Sequence, residues 1–206
     1  GVLGNSMGWY TALVLSGVIS IKNGFYLIQR MGSMMEKNIK GGQIIYPIID
    51  KDWIINKNNQ EMVSKLINQV GAYISINLGG YVVIGGSQKA LNILLKKLPA
   101  IDDFPFQIPF HAAFHTPLMR EVSKIAMKKI PLSYFEQPKI PLINGQGQIY
   151  MPHSADKNEL RNYTLTSQVL SFYDFTASIE VALKEFCPDN IVLLGPGNTL
   201  GGSIGQ

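Results

Sequence analysis

Gly4-Asn5-Ser6-Met7-Gly8 puts one serine between two glycines, with apolar Val2-Leu3 before it and a helix-forming run after it. A G-x-S-x-G run in that setting is the pattern of a nucleophile elbow, a sharp turn from strand to helix. The glycines leave room for the reversal, and the turn lifts the serine hydroxyl onto the N-terminus of the next helix. There the backbone N–H of Met7 and the helix dipole both favour a developing negative charge. An ordinary glycine-rich turn has the same composition; the flanking strand and helix argue for the elbow. A strand feeding a helix in this way predicts an α/β fold.

The rest of the chain divides by its periodicity. Residues 7–16 read as a short buried helix ended by Gly17, and 20–37 as a second helix with Ser20 as its cap. Its apolar positions Phe25, Leu27, Ile28, Met31, Met34 and Met35 recur near a 3.6-residue period. The middle changes character: strand 43–50, helix 60–70, strand 72–77, a turn at Gly79-Gly80, strand 81–84 and helix 88–97. That order suggests a split β-α-β unit and predicts a small ferredoxin-like α+β subdomain over 40–112. A hydrolase-like core with a parallel sheet is expected from 1–39 and 113–206. In its later part, Thr116-Pro117 opens a helix over 118–130, with Thr as N-cap and Pro in the first turn. Residues 140–144 read as a strand, 145–158 as loop, 167–186 as mostly helical, and 191–194 as a buried strand before Gly195-Pro196-Gly197.

Composition closes off several classes of function. Of 206 residues, 46% are apolar and 16% charged, enough apolar material for a packed core and too little charge for a disordered chain. The formal charge of +4 is spread over scattered lysines. A nucleic-acid surface would need clustered basic residues with interleaved aromatics, so no nucleic-acid partner is expected. No apolar run is long enough to span a bilayer, and no membrane partner is expected either. Cys187 is the only cysteine, which fits a reducing, cytoplasmic setting. No His/Cys/Asp cluster has metal-ligand spacing, so no metal site is expected. Gly195-Pro196-Gly197 lacks both a G-x-G-x-x-G spacing and a P-loop lysine and reads as a structural turn.

A nucleophilic serine needs a base. The three histidines are His111, His115 and His153. His115 stands just ahead of the capped helix, a rigid seat; His111 is equally possible by type, and His153 lies in a polar loop. Arg30 sits beside the methionine face of the second helix. Its planar fork suits a carboxylate, although a surface residue reads the same way.

Taken together and in this order, these segments resemble the malonyl-CoA:acyl-carrier-protein acyltransferases, including the acyltransferase domains of fatty-acid and polyketide synthases. The segments are Gly4-Asn5-Ser6-Met7-Gly8-Trp9-Tyr10, Arg30-Met31-Gly32-Ser33, Asn77 with Gly79-Gly80-Tyr81, Phe114-His115-Thr116-Pro117 and Gly195-Pro196-Gly197-Asn198. They span nearly the whole chain. The resemblance implies that Ser6 carries the acyl group and His115 takes and returns its proton. It implies that Arg30 grips the free carboxylate of malonate, that the Met7 N–H faces the oxyanion, and that Phe114 and Asn77 contribute to substrate binding. The histidine would be oriented by a main-chain carbonyl near Tyr173 or Asp174. The implied substrate is malonyl-CoA, the implied partner an acyl carrier protein, and no metal or redox cofactor takes part.

Two departures stand out. Asn5 replaces the histidine usual before the serine. The family also has an N-terminal portion, with core strands and a glutamine whose N–H completes the oxyanion hole, and here Gly1-Val2-Leu3 leads straight into the turn. The chain therefore reads as a piece of a longer protein. Losing one such donor costs roughly 2.7–4 kcal/mol in a serine hydrolase, so a weakly active or inactive fragment is expected.

Two other readings compete. An α/β hydrolase would place an acid between serine and histidine in chain order. Asp50, Asp52, Asp102 and Asp103 do fall there, but in or beside the small subdomain. A non-catalytic docking module would explain Asn5 but not the retention of Ser6, Arg30 and His115 together. On the helix after His115, Arg120, Lys124 and Lys128 line one face and Leu118, Val122, Ile125 and Ala126 another. The basic face is either solvated or a dock for an acidic carrier.

Overall fold

The structure, a computed structural model, describes residues 1–37, 40–195 and 197–205. The chain begins with β1 (Val2–Leu3), α1 (Gly8–Leu15) and α2 (Ile21–Lys37). A β-α-β-β-α-β unit follows: β2 (Gly42–Pro47), α3 (Lys57–Val70), β3 (Tyr73–Leu78), β4 (Tyr81–Gly86), α4 (Gln88–Lys97) and β5 (Phe106–Gln107). Its strands lie in the order β5-β2-β4-β3, and every neighbouring pair is antiparallel. This is the ferredoxin-like arrangement. Residues 38 and 39, where the first core segment was expected to end, lie outside the described residues, as does Pro196 of the glycine turn.

β4 reads as a nearly continuous apolar run because both faces of its sheet are covered. On one face Ile44, Tyr46, Val82 and Ile84 pack against α3 and α4 through Val63, Ile67, Leu91 and Leu94. On the other, Ile76 and Val83 meet Tyr173, Phe175 and Ile179. Local signals set the helix ends. The Asn56 side chain accepts from the Asn59 N–H at the start of α3, Gly71 ends it at φ +67°, and Ser87 accepts from the Ala90 N–H to start α4.

After this unit come α5 (Arg120–Lys129), β6 (Leu142–Ile143), β7 (Ile149–Tyr150), α6 (Lys157–Leu165), α7 (Ser167–Leu170), β8 (Tyr173–Asp174), α8 (Phe175–Phe186) and α9 (Leu200–Gly205). β1 pairs with β6 in parallel and β6 with β7 antiparallel, so this second sheet is mixed. α1, α2, α5 and α6 bury Trp9, Leu13, Leu27, Met31, Val122 and Leu160 in one core. Trp9 Nε1 donates to Thr164 Oγ1 there at 3.0 Å. The fold is α/β. No helix among the described residues is long and apolar enough to cross a membrane.

Three expectations change. Residues 191–194 form no strand and stay exposed. A strand needs a neighbour for its N–H and C=O groups, and none of the described strands runs beside this one. Its apolar side chains instead line a cavity of about 320 Å³ with Val2, Leu3, Phe175 and Ile179. The loop expected over 145–158 contains β7, because Asn144 and Gly147 close a hairpin: the Gly147 N–H donates to Asn144 O, and Gly147 has φ +76°. The helical stretch expected over 167–186 is broken by β8, whose Tyr173 and Asp174 pair with Ile76 and Asn77 far away in sequence.

Candidate active site

Ser6 sits between β1 and α1 in the left-handed region, at φ +52°. That conformation costs a non-glycine residue on the order of 1–3 kcal/mol, so the surroundings must hold it. Gly4 makes the turn possible: a Cβ there would stand 2.2 Å from the carbonyl oxygen of Gly8. The Gly8 N–H donates to Asn5 O at 2.7 Å and the Trp9 N–H to Ser6 O at 3.1 Å. Two distant side chains complete the hold. Gln168 Nε2 donates to Ser6 O at 3.0 Å, and the Tyr173 hydroxyl donates to Gly4 O. Met7 is 68% exposed at the start of α1. Asn5 Oδ1 is buried with no hydrogen-bond partner among the described residues.

His115 reaches this turn from 109 residues away, and its Nε2 lies 2.7 Å from Ser6 Oγ. Its Nδ1 lies 2.5 Å from the main-chain oxygen of Gln168. A carbonyl can only accept, so Nδ1 carries the proton and Nε2 presents its lone pair to the serine hydroxyl. The imidazole is 3% exposed, and burial pushes its pKa down to about 4. The Gln168 carbonyl opposes that shift and the charge of His111 adds to it. His115 is thus a neutral imidazole at neutral pH, in the protonation state a general base needs. Like Ser6 it is left-handed, at φ +55°.

The orienting carbonyl was expected near Tyr173 or Asp174 and belongs to Gln168. The Tyr173 ring lies tilted against that of His115, 5.2 Å between centroids, and Asp174 caps α8 through the Ala177 N–H. Sequence gave no signal for Gln168, because a main-chain carbonyl is the same in every residue. A hydrolase triad would have an acid on Nδ1; the carbonyl occupies that place.

The other candidates fall out unevenly. Phe114 adjoins His115 and packs on the main core. Asn77 donates through Nδ2 to Asp174 Oδ1 at 3.0 Å and bonds to neither member of the pair. His111 bonds to Gln43, and His153 is exposed. The structure does not bring Arg30 to the pair. Its Nη1 donates to Lys129 O at 3.1 Å and its guanidinium lies 6.0 Å from the Tyr134 ring. α5 puts about 14 Å of helix axis between Arg120 and Lys129, and His115 lies ahead of its start. Arg30 is exposed, while Leu27 and Met31 on the neighbouring stripe of α2 are buried. Adjacent positions on a helix point about 100° apart, which separates the arginine from the inward methionine. Arg120, Lys124 and Lys128 are exposed on α5, with Lys124 paired to Glu121 at 3.0 Å. Among the described residues no group of His, Cys, Asp and Glu could hold a metal ion.

No family model matches the chain. Over 205 residues it is 25% identical to the malonyl CoA-acyl carrier protein transacylase of Bacillus subtilis, covering 98% of this chain and 62% of that protein. It is 30% identical over 189 residues to a non-reducing polyketide synthase of Trichophyton rubrum, covering 87% of this chain and 10% of the synthase. The crystal structure of the malonyl-CoA:acyl carrier protein transacylase of Xanthomonas oryzae superposes with a TM-score of 0.78 at 23% identity, over 98% of this chain and 63% of that one. The chain therefore spans less than two thirds of the length of these two transacylases.

Proposed function

We propose, for a chain that is a homologue of the malonyl CoA-acyl carrier protein transacylases over nearly its whole length, the acyl transfer that their name describes. The observation that carries this reading is Ser6 Oγ at 2.7 Å from an imidazole whose other nitrogen is fixed on a carbonyl. In the first step Ser6 Oγ attacks the thioester carbonyl of malonyl-CoA while its proton moves to His115 Nε2. The C–S bond then breaks, the coenzyme A sulfur takes that proton, and Ser6 carries the malonyl ester. In the second step the phosphopantetheine thiol of an acyl carrier protein gives its proton to Nε2 and attacks the ester carbonyl. Ser6 Oγ leaves with the proton.

The Gln168 carbonyl keeps Nδ1–H in place in both steps and stabilises the imidazolium that forms within each. The N–H of Met7, at the start of α1, supplies the oxyanion donor. Phe114, beside His115, and Asn77 would lie toward the acyl chain. The exposed basic face of α5 suits an acidic carrier. We place the reaction in the cytoplasm, in fatty-acid or polyketide synthesis, on the names of the relatives and the exposed, free Cys187.

Arg30 favours a second reading of the acyl group. With its guanidinium spent on Lys129 O, this side chain does not grip a free carboxylate at Ser6, and an uncharged acyl group would fit as well. Intact-protein mass after brief exposure to malonyl-CoA or acetyl-CoA decides. A malonyl adduct that vanishes in Ser6→Ala supports the first reading, and an acetyl adduct alone supports the second. No adduct from the folded protein with the N-terminal portion of its relatives restored leaves a non-catalytic docking module.

A further inference from the structure

We infer that Gln43 and Ser75 are positioning residues for His115, acting through the main-chain carbonyl of Phe114. The inference deepens the acyl-transfer reading, since it takes His115 as the base.

Gln43 is a polar residue in an otherwise apolar strand, and it is 2% exposed. Its hydrogen bonds run in one direction. His111 Nδ1 donates to Gln43 Oε1 at 2.7 Å, and Gln43 Nε2 donates to Ser75 Oγ at 2.7 Å. Ser75 Oγ then donates to Phe114 O at 2.8 Å, with a longer second bond to the same oxygen from Gln43 Nε2 at 3.4 Å. Every donor in the series meets an acceptor, and such chains reinforce one another. They converge on the peptide that joins Phe114 to His115. The orientation of that peptide fixes the left-handed φ of His115, and with it the direction of the imidazole.

The sheet is shaped for this contact. Ser75 is the unpaired residue of a bulge in β3, between Ile74 and Ile76, and it is fully buried. A bulge re-aims a side chain that regular pleating would send elsewhere. Opposite Gln43 stands Gly85, where a Cβ would lie 2.7 Å from Thr116 Cγ2. The missing side chain lets the His115 segment press onto the sheet. The small subdomain thus does more than cover the core: it holds the peptide that aims the base.

The test is the rate at which a fluorophosphonate probe modifies Ser6, followed by intact mass from pH 3.5 to 8, in wild type, Gln43→Met, Ser75→Ala and His115→Ala. The probe needs no coenzyme A and no carrier, so a protein that takes the probe but not malonyl-CoA fails the acyl-transfer reading while this inference is still decided. Misplacing a reacting group by an ångström costs about a hundredfold, so both variants should lose about tenfold or more in rate while remaining folded, with unfolding midpoints lowered by the buried partners left unpaired. Their acid limb should also move up from about 4 towards the ordinary histidine value as the ring reaches water. The Tyr173 ring, which also faces His115, is unchanged in both variants, and His111 keeps its Gln43 partner in Ser75→Ala but loses it in Gln43→Met, so the shift of the limb is read in Ser75→Ala. A merely structural role would leave that limb in place. If Gln43→Met does not fold, Ser75→Ala decides alone. Wild-type rate and pH profile in folded Ser75→Ala would overturn the inference, as would a wild type no faster than His115→Ala.

Discussion

The Nδ1–H of His115 donates to the main-chain carbonyl of Gln168 at 2.5 Å, and the Gln168 side chain donates in turn to Ser6 O at 3.0 Å. One residue therefore ties both members of the pair, one through its backbone and the other through its carboxamide. Only the second bond can be removed by substitution. Gln168→Leu keeps the carbonyl but leaves Ser6 O with the Trp9 N–H as its remaining donor, and should cost about 0.5–1.5 kcal/mol. Urea unfolding measures that loss. The acid limb of Ser6 reactivity should not move, because the bond to Nδ1 remains.

The low pKa of His115 makes two statements about pH. Ser6 reactivity needs the neutral imidazole, so it should hold at pH 5 and fall only as pH drops through about 4. Stability follows the same group. Below about 6.5 the unfolded chain takes up a proton on this histidine that the folded chain refuses until about 4. Stability from this group is therefore intact above pH 6.5 and is lost as pH falls through that window, by about 3 kcal/mol in all. In His115→Ala the acid loss of stability between pH 7 and 4 should be smaller. Equal losses in the two proteins would contradict the assignment.

The two glycines of the elbow should respond differently. A Cβ on Gly4 meets the Gly8 carbonyl oxygen at 2.2 Å, whereas one on Gly8 meets nothing within 4 Å. Gly4→Ala should abolish Ser6 labelling, since backbone on both sides must shift. Gly8→Ala should fold and label normally, with stability equal to or up to about 1 kcal/mol above wild type. Thermal unfolding and probe labelling of the pair read this directly.

Arg30→Ala separates the sequence expectation from the geometry. A carboxylate clamp would lose malonyl labelling while keeping acetyl labelling. A cap on the last turn of α5 would lose at most about 1 kcal/mol of stability and leave both labels within twofold. The bond to Lys129 O predicts the second outcome.

Ser6 and His115 were legible as candidates because their chemistry has a local frame: a serine between glycines, and a histidine before a capped helix. The β-α-β-β-α-β order was legible for a similar reason, since caps such as Asn56 and Ser87 and the stop at Gly71 act within a few residues of themselves. Apart from the local Asn144–Gly147 hairpin, what failed depended on partners far away in sequence. Residues 191–194 carry the apolar run of a strand, but a strand exists only where another lies beside it. β8 interrupts a helical stretch because Ile76 and Asn77 stand ready to pair with it. Arg30 and Met31 are neighbours in the chain, yet the 100° step of the helix sends one to the end of α5 and the other into the core. The sequence by itself determined which side chains could do chemistry and the helices and strands whose signals lie within a few residues, such as those of the β-α-β-β-α-β unit. Only the tertiary structure decided which of them meet, because the groups that aim His115 are a backbone carbonyl of Gln168 and a buried relay from Gln43 through Ser75, and hydrogen bonds of that kind form wherever packing brings donor and acceptor together.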